Sequence, residues 1–487
     1  MTTAETAALL DRVRAYRRRH AAKVLSDFAT LLALDNVTRD VPALRRNAAA
    51  IAGAFTARGA LMEVVGHDGA APVVVGRLGA DPARPTLGVY VHYDGQPVGT
   101  GDWRTPPFEP TLCTPDGHAI PFPANGDPID DDWRIYARAA ADDKAPFAAL
   151  LTALDALRDA GAGLAVNLVF CFEGEEESGS PHLRGYLRAL HDRLRADAWL
   201  FCDGPVHHSG APQIILGVRG YTGFDLTVYG PLAELHSGHF GNWAPNPALD
   251  LVRLLATCKD DAGTVTIDGF YDGTRPVTDA DRAALRALPA VEPALLDRLG
   301  LAEAEVPGDR LIDRMMRPSF NLRGLSAADV GPLARNVIPT QATASVDIRL
   351  AAGDDPDRML ELVRDHVARH GYHIVNREPT DQERSAHRRL ARFTPTAGYP
   401  AVRVPADLPI VGQLVRAATV ASGREAVILP TVGASLPLHD LVDVLRVPTV
   451  ILPIANPDNN QHAANENLRI GQLWYGVDLW ALLLTQH

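Results

Sequence analysis

Apolar residues recur at helical spacing from Ala4 to Leu34. They do so again from Val41 to Arg58, where Leu44, Ile51 and Phe55 fall on one face. Short strands are predicted at Leu61–Val65 and Val73–Leu78. Three nearly continuous apolar runs follow, and each ends in polar residues. Thr86 to Val91 leads into His92-Tyr93-Asp94, Val166 to Phe172 into Glu173-Gly174-Glu175-Glu176-Glu177, and Ala198 to Cys202 into Asp203-Gly204. Runs without alternation are expected of strands buried on both faces, as in a mostly parallel sheet covered by helices. An Ala/Leu-rich segment, Pro146 to Ala160, supplies a crossover helix with its proline at the tolerant first turn. In such sheets ligands sit beyond the carboxyl ends of the strands, which is where these acids and the histidine lie.

From Ile214 the pattern alternates, as in Phe224 to Val228 and Ala342 to Ile348. Helices are predicted at Asn246–Lys259, Asp279–Leu299 and Asp357–His370. The polar, basic stretch Arg384–Thr396 reads as a return linker. Pro409–Ser422 (helix), Thr449–Pro453 (strand) and Ile470–Leu484 (helix) then rejoin the first sheet. The expected organisation is α/β: a discontinuous unit, 1–213 and 400–487, interrupted by an α+β unit, 214–399, with one solvated sheet face.

The 487 residues are 46% hydrophobic and 22% charged, a globular balance, and 47 basic against 59 acidic residues give a formal charge of −12. Beyond Arg17-Arg18-Arg19 there is no basic block for a nucleic-acid backbone. The four cysteines are scattered, the N-terminus lacks the apolar core of a signal peptide, and no apolar run could span a bilayer. A cytoplasmic chain that uses neither nucleic acid nor membrane is expected.

The strand-end groups His92, Glu177 and Asp203, with Asp142 and His462, form a mixed nitrogen and oxygen set suited to borderline metals such as zinc. Two histidines and three carboxylates exceed the need of one tetrahedral ion and match a pair if one carboxylate bridges. Glu176 is then free to act as general base. Each residue alone also has an ordinary explanation. Asp142-Asp143 could introduce the next helix, where acids favour the dipole, and Asp203-Gly204 could be a turn.

His92-Tyr93-Asp94 with Asp102-Trp103 and Pro107-Phe108 resembles the metal-binding opening of the M20 metallopeptidases. So do Tyr136 to Lys144, Glu173 to Ser180, Leu235-His236-Ser237-Gly238 and the closing His462 to Leu468. The nearest branch looks like the carnosinase-like, cytosolic nonspecific dipeptidases. The resemblance implies a dinuclear-zinc exopeptidase fold, with a ferredoxin-like insert serving as lid and dimerisation domain. Carried over, it makes His92, Glu177, Asp203 and His462 terminal ligands of two divalent ions, with Asp142 bridging. Zinc is the first expectation, manganese or cobalt the alternatives. It makes Glu176 the base, has Asp94 orient His92, and places His236 as an oxyanion donor reaching a partner subunit's site in a homodimer. Arg349 becomes the anchor of the substrate's terminal carboxylate, and Asn336 and Ser435 become substrate-contacting.

Three departures stand out. Ala137, Ala139 and Ala145 replace family glycines, Cys113–Asp132 is a long Pro/Gly/Asp-rich loop, and Glu175 adds a charge beside the base. The implied reaction is hydrolysis of dipeptides or short peptides bearing a free carboxylate. An N-acyl-amino-acid amidohydrolase with the same metals and base is the runner-up.

Overall fold

The structure is a computed structural model and describes residues 2–66, 69–434 and 436–485. The long first helix, Thr3–Leu32, starts at a capping box between Thr2 and Glu5. Val41–Thr56 is capped by the Asp40 side chain and carries its proline in the first turn, as does Ala145–Asp159.

Eight strands form the large sheet, in the order 61–65, 73–78, 167–173, 86–92, 198–201, 449–451, 213–215, 427–429. Thr86–His92 runs parallel to both its neighbours, and Thr449–Ile451 is parallel to Ala198–Phe201. Antiparallel pairing is confined to the first two strands, their junction with Asn167–Glu173, and the contact of Thr449–Ile451 with Gln213–Ile215. The sheet is thus mixed, with a parallel centre. One face is covered by the second, third and C-terminal helices, with the first helix lying against the last two, and buries Phe55, Phe147, Phe170 and Trp480. The other packs on Leu183–Ala189 and Leu438–Leu445 around Tyr90, Trp199 and Phe201. Burial on both sides explains the unbroken apolar runs. Gly88 pairs with Trp199 across two central strands, and a Cβ at 88 would stand 2.2 Å from the indole.

The second sheet has five strands, ordered 319–326, 341–350, 220–229, 390–399, 373–375. Four of these strands, 220–229, 319–326, 341–350 and 390–399, with the helices Pro247–Leu255 and Pro356–Arg369, follow the ferredoxin-like βαββαβ path, and 373–375 adds a short parallel edge strand. Both helices cover one face, around Phe224, Leu226, Val346, Ile348 and Val363. Tyr221, Arg323, Asp347 and Arg349 lie on the opposite, polar face, because side chains alternate along each strand.

Three expectations are corrected. Arg384–Thr396 is no linker: Leu390–Tyr399 is a full strand beside the central one, preceded by a short helix at Asp381–Ala386. Asp279–Leu299 is two helices, Asp279–Ala287 and Glu292–Leu299, because Pro289 cannot continue the first. The segment 113–132 is partly paired: strands 111–113, 119–120 and 134–136 join 467–469 in a small sheet.

Between the two large sheets, Gly217–Val218 pairs with Val402–Arg403 as a two-stranded ribbon. The large sheet keeps Ile214 and Ile215 within its strand Gln213–Ile215. Leu285, Leu288, Ile312 and Met316, from the helical excursion of the insert, pack against Val427 and Leu429 at the edge of the large sheet. All four cysteines are free and buried. Among the described residues no helix is long and apolar enough to cross a membrane.

Candidate metal centre

Three adjacent parallel strands, 167–173, 86–92 and 198–201, deliver their carboxyl ends to one place. His92 is the last residue of its strand and fully buried. Glu176 and Glu177 sit on a one-turn helix, Glu176–Ser178, just past Asn167–Glu173, and Asp203 lies just past Ala198–Phe201. Asp142 precedes the crossover helix, and His462 occupies an Asn-rich loop in the left-handed region at φ 62°.

Asp142 stands in the middle. Its Oδ1 is 2.9 Å from His92 Nε2, and its Oδ2 is 3.0 Å from His462 Nε2. His462 Nε2 is also 3.4 Å from Glu177 Oε2, which accepts a hydrogen bond from Gln96 Nε2 at 2.7 Å. Two sets of potential donors have ligand atoms within 4.8 Å of one another: Asp142, Glu177 and His462, and His92, Asp143 and Asp203.

Asp94 holds this arrangement from behind. Its two carboxylate oxygens accept the backbone N–H groups of Glu176 and Glu177, 3.1 Å each, so it caps the turn that presents both acids. His92 Nδ1 is 3.1 Å from the Asp94 carbonyl oxygen and 3.5 Å from its carboxylate, which leaves Nε2 facing the centre.

The electrostatics show a surplus of buried negative charge. Burial, reinforced by Asp142, raises the Asp203 carboxyl to about 7. Burial also drives Glu176 well above the usual carboxylate range. The His92 imidazole opposes that shift, while Asp203, Glu177 and Asp142 add to it. Glu177 moves up through burial and Asp142. Asp142 alone is held below its ordinary value: hydrogen bonds from His462 and His92 outweigh its burial. Asp143 Oδ2 is buried without a hydrogen-bond partner. Crowded carboxylates, two imidazole nitrogens facing the centre and an orphaned oxygen fit a pair of divalent cations, which would balance charge that two histidines cannot.

Sequence reasoning passed over two residues here. In the sequence Asp143 has the place of a helix-introducing acid. Glu466 accepts the backbone N–H groups of Ala139, Ala141 and Asp142 at 2.9–3.0 Å and pairs with buried Arg138 at 2.7 Å. The adjacency of Asp142 and Asp143 was a usable signal for the first; a buried acid whose partners are three backbone N–H groups and one distant arginine leaves none for the second. Lys144, fully buried, donates to the carbonyl oxygens of Leu31 and Leu34, so the first helix ends against this loop.

The remaining predicted groups lie elsewhere. Glu175 turns away from Glu176 to pair with His182 and accept the Ala71 N–H. His236 is exposed on Leu235–His236, and its Nδ1 accepts the Gly238 N–H. Asn336 is beside it, its carbonyl oxygen accepting from Ser237 N, through pairing of 235–236 with 337–338. Arg349 is on the polar face of the insert sheet. Ser435 lies outside the described residues.

Residues 88–486 match Peptidase family M20/M25/M40. The chain is 31% identical over 303 residues to a Cys-Gly metallodipeptidase of Schizosaccharomyces pombe, an alignment covering 61% of this chain and 60% of that protein. The chain therefore spans about three fifths of that relative's length. It is 26% identical over 421 residues to the human Beta-Ala-His dipeptidase, covering 85% of this chain and 77% of that one. In three dimensions it is similar to an M20 family metallo-carboxypeptidase of Sulfolobus solfataricus, with a TM-score of 0.73, 26% identity, and coverage of 95% and 98% of the two chains.

Proposed function

The chain belongs to peptidase family M20/M25/M40, and on that footing we propose that it is a cytoplasmic, two-metal dipeptidase acting on peptides with a free C-terminal carboxylate. The observation that carries the reading is the position of Asp142, one oxygen toward each of two imidazoles, beside Glu177, Asp203 and the base. Asp142 would bridge two divalent ions, zinc first, with His92 and Asp203 on one and Glu177 and His462 on the other. Bound there, such a pair supplies Lewis acidity and brings a water's pKa toward neutrality.

The residues of the chain do the rest. Glu176, whose burial raises its proton affinity, accepts the proton of the attacking water and returns it to the leaving nitrogen. Asp94 fixes the turn that aims Glu176. Arg349 holds the substrate carboxylate and so aligns the scissile amide. His236, exposed on the insert, donates to the developing oxyanion across a homodimer. The aromatic groups beside it support that assembly: ring contacts run from His236 through His239 and Phe240 to Trp243, which is 80% exposed. Dipeptides are supported by the two relatives, whose names specify Cys-Gly and β-Ala-His as substrates, and these are the first to try. The buried free thiols agree with a reducing compartment.

Glu176→Gln should lower turnover of Cys-Gly or β-Ala-His by at least about 100-fold while metal content by elemental analysis stays at the parental value. Wild-type turnover in that variant removes Glu176 from the mechanism, and full activity after exhaustive chelation removes the metals.

A further inference from the structure

On the polar face of the insert sheet four cross-strand neighbours stand in one row: Ser319, Arg349, Tyr221 and Tyr399. The guanidinium carbon of Arg349 lies 5.3 Å from the centre of the Tyr221 ring. Its Nε is 3.5 Å from Asp347 Oδ2, and Asp347 is itself held by Asn321 Nδ2 at 2.7 Å. Among the described residues Arg349 has no other side-chain partner, so both Nη atoms are uncommitted. The Tyr221 hydroxyl accepts from Arg323 Nη1 at 3.3 Å, which fixes the ring's far end.

The row continues beyond the insert. The Tyr221 and Tyr399 rings are 6.2 Å apart, and Tyr399 stacks on His439 at 5.1 Å with 16° between planes. His439 is on Leu438–Leu445, a helix packed on the large sheet, next to Asp440, which accepts from Arg184 at 2.7 Å. Tyr221 and Tyr399 flank the ribbon of 217–218 and 402–403, where the chain crosses between the two sheets.

A guanidinium that gives its face to a ring and its Nε to a carboxylate keeps the Nη edge for a planar anion. The ring fixes the plane of that edge, and a pre-set plane reduces the ordering needed to bind a carboxylate. We propose that Tyr221 is a positioning residue for Arg349, and that the Tyr221–Tyr399–His439 stack sets where the Arg349 edge stands relative to the metal centre. The device selects peptides ending in a free carboxylate over those ending in an amide. It rests on the reading of Arg349 as the carboxylate anchor.

The test compares Cys-Gly with Cys-Gly amide, or the β-Ala-His pair if Cys-Gly is not turned over, on the full chain loaded with zinc. The variants are Tyr221→Leu, Tyr221→Phe, Tyr399→Leu and Arg349→Ala. Tyr221→Leu should raise KM for the free-carboxylate substrate about five- to tenfold, with kcat within about twofold of the parent, and should cut the preference over the amide by the same factor. Tyr221→Phe keeps the ring and should keep the preference. Tyr399→Leu should shift it in the same direction as Tyr221→Leu, and it carries the test if Tyr221→Leu fails to fold by thermal melt. A Tyr221→Leu protein with parental preference, alongside an Arg349→Ala protein that has lost it, overturns the proposal. Equal loss on both substrates in Tyr221→Leu also overturns it, since that marks a general structural role. Parental preference in Arg349→Ala instead removes the anchor reading itself, and the two failures are thereby told apart.

Discussion

Ala139 has a positive φ of 64° and no exposed surface, three residues before the aspartate at the middle of the centre. Of the three alanines that replace family glycines, it alone takes the conformation glycine favours; Ala137 and Ala145 have ordinary torsions. Glycine at 139 would recover about 1–2 kcal/mol of left-handed strain, against about 0.8 kcal/mol of lost methyl burial and about 0.4–1 kcal/mol of unfolded-chain entropy. Ala139→Gly should therefore leave stability within about 1 kcal/mol of the parent in urea unfolding. Ala140→Gly, equally buried but without strain to release, should cost about 1–2 kcal/mol. A large loss at 139 would mean its methyl group matters more than its torsion. The individual acids and histidines were legible in the sequence because strand ends and family motifs announce them. Glu466 was not, because an acid that serves backbone N–H groups looks like any other acid until the chain is folded around it.

Two loops from distant parts of the chain are joined by one carboxylate. Glu466 sits in the strand-side loop that carries His462, yet its acceptors are spent on residues 138–142. Removing one member of such a buried pair leaves the other charge uncompensated, so Glu466→Ala should cost about 3–5 kcal/mol in thermal unfolding. It should also weaken metal binding about 10–100-fold in chelator competition; unchanged affinity in a folded variant would confine Glu466 to stability. Among the elements, the long helices and the buried strands could be read from spacing to within a few residues. Leu390–Tyr399 could not. Its inward Ala391 and Phe393 alternate with Arg392 and Thr394, but the run of Arg384, Arg388, Arg389 and Arg392 masks the period, and only pairing with Phe224 and Leu226 reveals it as a strand.

At the scale of the whole molecule, the proposed homodimer has a test that does not depend on mass. A random mixture of His236→Ala and Glu176→Gln subunits should regain up to about a quarter of wild-type activity averaged over all sites, and purified mixed dimers up to about half, if His236 acts across the interface. Tagged heterodimers that stay inactive would keep His236 out of the partner's chemistry. The discontinuous unit was foreseeable from the return of apolar segments after residue 400; that the returning strand lands inside the sheet was not, since order in a sheet leaves no local mark. Thr449–Ile451 lies between Ala198–Phe201 and Gln213–Ile215. During synthesis, then, the insert has all of its strands by Tyr399, while the large sheet still lacks a strand in its interior. Its outer pair, 213–215 and 427–429, has nothing to join until residue 451 has emerged, and the last histidine of the centre follows only at 462. A nascent chain thus carries a finished insert beside an open hydrophobic slot, which makes this interval the one in which a chaperone would matter most.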